Sequence, residues 1–171
     1  MCPAVCPTKW TKINQQEDGV QWGTKDDSYG RWQVASRICG QKLKLQHRSG
    51  EITCSVSNGG YSKFGCGIHQ HAYSSLLAVH VTEGKGSDYI IVPSVLPHAE
   101  VTLSWIIGLY QRSGYNSMSP YVEFDLPLNN DNSYFCFEEG TEYQLWHGED
   151  MYDHHESDNG GTTYTDVYIM S

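Results

Sequence analysis

The densest run of chemistry-bearing side chains is Gly148-Glu149-Asp150-Met151-Tyr152-Asp153-His154-His155-Glu156-Ser157-Asp158-Asn159-Gly160-Gly161. Glu149, Asp150, Asp153, Glu156 and Asp158 place their carboxylates close together, and such groups repel one another unless something neutralises them. Calcium takes six to eight oxygen ligands from carboxylates, side-chain amides and backbone carbonyls. A loop that returns Asp150 to Asp158 and Asn159 supplies oxygens of those kinds. The Gly160-Gly161 pair behind it lets the backbone turn sharply. The Asp-x-Asp-x-Asp-Gly register of an EF-hand is missing, and the flanks read as strands. The competing reading is a solvated acidic hairpin loop in which Asn159-Gly160 is a turn dipeptide.

Histidine suggests a second chemistry. Of the eight histidines, His69/His71 and His154/His155 form close pairs. His-x-His puts both imidazoles on one face of a strand, as a copper or zinc site needs. A His-based metalloenzyme is therefore one alternative, and exposed polar histidines in loops are another. Patterns of nucleophilic or phosphoryl-transfer enzymes (Gly-x-Ser-x-Gly, the P-loop, His-Glu-x-x-His) do not occur. Glu149 and Asp150, being adjacent, cannot flank a glycosidic bond at the ~5–9 Å that hydrolysis requires. The expectation is a binding protein, not an enzyme.

The elements that must position these residues are strands. The chain has 171 residues, rich in Tyr and Trp, with Gly and Pro spread along it and no linker-like stretch. One domain over 1–171 is expected, with 1–12 as a Cys- and Pro-rich terminal segment. Strands are expected at Val20–Trp22, Trp32–Ser36, Gln41–Gln46 and Ile52–Val56, the last two joined by a turn at Arg48-Ser49-Gly50-Glu51. Further strands are expected at Tyr73–Val81, Tyr89–Val92, Val101–Tyr110, Tyr121–Leu126, Thr141–Trp146 and Thr163–Ile169. Short strands with turn signals between them give an all-β fold, an antiparallel β-sandwich of jelly-roll or galactose-binding-domain-like kind.

Cys2, Cys6, Cys39, Cys54, Cys66 and Cys136 contain no Cys-x-x-Cys pair, and an even number fits disulfides. Cys54 and Cys66 flank a Gly-rich turn, Cys2 and Cys6 can pair locally, and Cys39 with Cys136 is left by elimination. Disulfides imply a secreted, extracellular protein. The net charge of −9 and the scattered basic residues argue against nucleic-acid binding and against a membrane-surface role. No apolar run is long enough for membrane insertion.

The last third resembles the calcium-dependent galactose-binding lectins of the soluble bacterial galactophilic type. The resemblance rests on Tyr143-Gln144-Leu145-Trp146, then Asp150, then Asp158-Asn159-Gly160-Gly161, then the alternating Thr163-Tyr164-Thr165-Asp166-Val167-Tyr168. Asp158 stands where that family has an asparagine, and the first ~40 residues show no likeness. The resemblance implies Asp150, Asp158 and Asn159 as side-chain calcium ligands. It adds backbone carbonyls at Tyr61 and near His154. A second matching stretch, Gly67-Ile68-His69-Gln70-His71-Ala72-Tyr73, implies that His69, Gln70 and His71 meet the sugar together with Asp150 and Asn159. Tyr61 or Trp146 would pack on the sugar's apolar face. The implied partner is a galactose-containing glycan, and homo-oligomers would add avidity. A secreted structural calcium-binding protein without sugar binding is the remaining alternative.

Overall fold

The computed structural model describes residues 9–25, 28–53, 60–64, 118–126, 128–145 and 159–171 with their side chains, and the backbone alone of 77–82, 89–91 and 146–147. Eleven strands run through these residues, with no α-helix among them: β1 (Trp10–Lys12), β2 (Val20–Trp22), β3 (Gly30–Trp32), β4 (Ile38–Gly40), β5 (Lys42–Thr53), β6 (Leu77–Thr82), β7 (Tyr89–Ile91), β8 (Tyr121–Asp125), β9 (Phe135–Phe137), β10 (Glu142–His147) and β11 (Gly160–Met170). All pairings are antiparallel.

The first sheet has the order β1-β11-β5-β8, with β2 also pairing β11. The second has the order β3-β10-β6-β7, and β4 with β9 forms a short ribbon. Period-2 patterning explains how the sheets meet. In β11 the side chains of Thr163, Thr165, Val167 and Ile169 are buried, while Tyr164, Tyr168 and Met170 between them are half-buried. One core cluster joins Val20, Trp22, Leu43, Leu45, Val122, Val167 and Ile169 of the first sheet to Trp32, Tyr143 and Leu145 of the second. The two sheets therefore face each other as a sandwich. The ribbon closes on the same core through aromatic packing. Phe137 lies 4.8 Å from Tyr143 and 5.3 Å from Trp32 between ring centroids.

Cys39 and Cys136 pair directly across the β4–β9 ribbon and form a disulfide, the one that elimination leaves. The other four cysteines lie outside the described residues. The bond closes a loop of sequence separation 97. Cys39→Ser with Cys136→Ser is expected to lower unfolding free energy by about 2–5 kcal/mol. Denaturant titration of oxidised wild type against the double variant reads this directly.

The expected hairpin at Arg48-Ser49-Gly50-Glu51 is corrected. β5 runs unbroken for 12 residues through those positions, so Ile52 and Thr53 belong to the same strand as Leu43 and Leu45. The turn-like composition marks a β-bulge instead. Opposite β11 the register shifts between Tyr164, which faces Ser49, and Thr165, which faces His47, leaving Arg48 outside the ladder. Gly50 takes a φ of 77°, and a Cβ there would lie 2.1 Å from the Thr162 carbonyl oxygen.

Smaller differences follow from short strands. The expected strand at Trp32–Ser36 lies earlier, at Gly30–Trp32, because pairing with Tyr143–Leu145 sets its register. β1, β4 and β9, three residues each, carry too little alternation to be visible beforehand. The hydrophobic run Val101–Tyr110 lies outside the described residues.

Candidate functional site

The strand registers bring several chain segments to one end of the sandwich. β10 and β6 pair His147 with Leu77 there. β11 and β5 pair Gly160 with Thr53, and Ile52 exchanges two backbone hydrogen bonds with Ser62 at 2.8 and 2.9 Å. The acidic segment departs after His147 and returns at Asn159, and the His69–His71 stretch precedes Leu77. Their anchoring points thus share one rim of the fold, although Asp150, His154, Asp158, His69, Gln70 and His71 themselves lie outside the described residues.

Two of the expected ligands are described. Asn159 is 2% exposed. Its Nδ2 donates to the Thr24 carbonyl at 2.7 Å, while its buried Oδ1 has no hydrogen-bond partner among the described residues. Thr24 is itself fixed, since its buried hydroxyl lies 2.6 Å from the Thr53 carbonyl and 3.2 Å from the Gly160 carbonyl. The amide of Asn159 therefore has one orientation, nitrogen towards Thr24 and oxygen away from it. Tyr61 precedes Ser62 on the neighbouring segment and is 41% exposed. Gly161, Ile52 and Ser62 stand in successive pairings, so Tyr61 and Asn159 occupy chain segments two inter-strand spacings apart, on the order of 10 Å. The topology brings these two residues to the same rim.

An unpartnered buried amide oxygen costs about 1–3 kcal/mol relative to a satisfied one. A hard cation or a ligand donor satisfies it. Oxygen is the donor that calcium takes, and the protein fixes the Asn159 oxygen through the opposite end of the same amide. Among the described residues no group of three His, Cys, Asp or Glu side chains is placed to hold a metal. A cation here needs ligands beyond Asn159 and Tyr61.

Sequence patterning missed what fixes this rim. Gly161 has a φ of 84°, and a Cβ on it would lie 2.2 Å from the Glu51 carbonyl oxygen. This close approach of β11 to β5 places Asn159, two residues earlier. The Gly160-Gly161 pair is the visible signal, and its role is strand apposition, not a sharp turn.

A second polar arrangement lies further along β11. Asp166 is fully buried although it belongs to the outward-facing set of that strand. Lys12 Nζ lies 3.3 Å from its Oδ1 and Arg48 Nη1 2.9 Å from its Oδ2. Asn14 Nδ2 donates to Oδ1 at 3.1 Å, and Asn14 Oδ1 accepts the Val167 amide at 2.8 Å. The bulge thus frees Arg48 to cover the carboxylate. Asn14 fills the edge of β11 between the stretches paired by β1 and β2.

Comparison with known protein families finds no match, and comparison with curated proteins finds none either. Among solved structures, the fold is similar to that of a lectin, AJLec from the sea anemone Anthopleura japonica. The TM-score is 0.70 at 24% identity, covering 94% of this chain and 95% of that one. The likeness is one of fold over nearly the whole chain. It is to an animal lectin, whereas the sequence resemblance was to bacterial ones over the last third.

Proposed function

We propose that this chain is a carbohydrate-binding protein of lectin type that recognises galactose-class sugars through a calcium ion at the rim holding Asn159 and Tyr61. The observation that carries the proposal is the Asn159 side chain, buried, held by Thr24 and presenting an unpartnered oxygen, on a fold shared with a lectin. Asp150, Asp158 and Asn159 would supply side-chain oxygens, and Tyr61 and His154 backbone carbonyls. Calcium with open coordination positions would accept two vicinal sugar hydroxyls. His69, Gln70 and His71, which precede β6 in the chain, would hydrogen-bond the remaining hydroxyls. The function is binding rather than catalysis. The disulfide favours an extracellular setting, and oligomers would multiply a modest single-site affinity.

Thermal unfolding in EDTA, in calcium, and in calcium with galactose tests this reading. A ligand specific to the folded state adds about 2.7 kcal/mol at a hundredfold excess over its dissociation constant. For a chain of this size that is a rise of roughly 5–10 °C in Tm. Wild type is expected to rise with calcium and again with galactose. Asn159→Ala and Asp150→Ala are expected to remove the calcium rise while leaving a cooperative transition. A wild-type Tm indifferent to calcium defeats the cation part of the proposal. Indifference to galactose and every other glycoside defeats the lectin part.

A further inference from the structure

A second polar surface lies away from that rim, along the outer edge of β3. A groove of about 400 Å³ is lined by Gln15, Gln16, Arg31, Trp32, Gln33 and Glu142. Its volume falls within the ~300–1,000 Å³ typical of small-ligand sites. Glu142 and His147 stand at opposite ends of β10, so the groove is about 17 Å from the rim at ~3.4 Å per residue.

The walls are held in place before any ligand arrives. Arg31 donates to the Tyr29 hydroxyl and stacks over that ring at 4.8 Å. Glu142 Oε1 accepts from Gln144 Nε2 at 3.0 Å and lies 3.9 Å from Arg31 Nη1. Gln16 Nε2 donates to the Arg31 carbonyl at 2.6 Å and Gln15 Nε2 to the Gln33 carbonyl at 3.4 Å, fastening the 15–16 segment along β3. Among the described residues three buried side-chain polar atoms lack a partner, and two of them, Gln16 Oε1 and Trp32 Nε1, belong to residues that line this groove.

We infer that this groove is a subsite for a neutral hexose, independent of any divalent cation. A guanidinium beside a carboxylate offers donors and acceptors side by side, and each glutamine amide offers both from one planar group. Vicinal hydroxyls, each donor and acceptor at once, match that set. A multiply anionic ligand is disfavoured by Glu142 in the wall and by the chain's net charge of −9. The choice of a saccharide rests on the lectin reading, whereas the polyhydroxyl chemistry rests on the groove alone.

The test uses the full chain labelled with nitrogen-15, in EDTA, titrated with methyl β-galactoside, methyl α-glucoside, methyl α-mannoside and lactose at millimolar concentrations. The Trp32 indole N–H signal is expected to shift with at least one of them. Arg31→Ala and Glu142→Gln are expected to weaken that binding by at least about tenfold. Arg31 is 62% exposed at its side chain, so its variant keeps the fold, and unchanged backbone amide signals confirm it. A Trp32 signal unmoved by every glycoside overturns the subsite, even if calcium-dependent galactose binding is intact. A shift that survives both substitutions overturns it too. A Trp32 shift lost in both variants, in a protein that ignores calcium, upholds the subsite and removes the cation from the proposed function.

Discussion

Gly161→Ala is expected to lower stability and weaken the calcium response together. A left-handed φ of 84° costs a non-glycine residue about 1–3 kcal/mol in itself. The added methyl would also lie 2.2 Å from the Glu51 carbonyl oxygen, a backbone atom that cannot rotate aside. β11 must then separate from β5 where Ile52 faces Gly161. Thr24 holds the Gly160 carbonyl and the Asn159 amide at once, so the shift reaches the proposed ligand directly. Calorimetry with and without calcium measures both effects. A variant that loses stability but keeps the full calcium increment would show that the cation does not depend on Asn159. Gly50→Ala supplies the comparison. It carries a similar clash with Thr162, but it sits beside the bulge, two residue pairs further from Asn159 than Gly161 does. It is expected to destabilise while keeping the larger share of the calcium increment.

The second large effect concerns Asp166. Replacing Lys12 and Arg48 together by Met leaves a fully buried carboxylate with, among the described residues, the Asn14 amide as its side-chain donor. Stripping partners from a buried charge costs about 3–5 kcal/mol. Each single substitution leaves one cation in place, so the two single losses should sum to less than the double one. Adding Asp166→Asn to the double variant should recover much of the loss, because the uncompensated charge is then gone. Urea unfolding of wild type and the four variants measures both the coupling and the recovery. Additive single losses, or no recovery from Asp166→Asn, would mean that water already reaches the carboxylate.

These residues also show which parts of the molecule alternation could disclose. Val20–Trp22 and Tyr121–Asp125 stand where the pattern places them, because each buries every second side chain against a common core. Arg48-Ser49-Gly50-Glu51 misleads because polar residues around a glycine at positive φ suit a hairpin turn and also, here, a strand beside a bulge. What separates them is whether a partner strand lies alongside, and that partner, β11, is more than 100 residues away in sequence. Asp166 reads as one more outward-facing position, and its burial depends on Lys12, Asn14 and Arg48 arriving from two other segments. Asn159 is legible as an oxygen donor, but its fixed orientation depends on Thr24, 135 residues earlier. The β3 groove had no signal at all, since scattered glutamines are unremarkable until a sheet edge collects them.

The pairing of β11 with β1, β2 and β5 has a consequence for biosynthesis. The ribosome releases the chain from its N-terminus, so the first sheet lacks its central member until residues 160–170 emerge. The long edge of β5 then waits for about a hundred further residues, on the order of 5–20 s at ~5–20 residues per second. Contacts so distant in sequence also close slowly. A nascent chain stalled before Gly160 should therefore expose a sticky, half-built sheet and recruit holding chaperones. Emergence of residues 160–170 should let the first sheet close in a single late step.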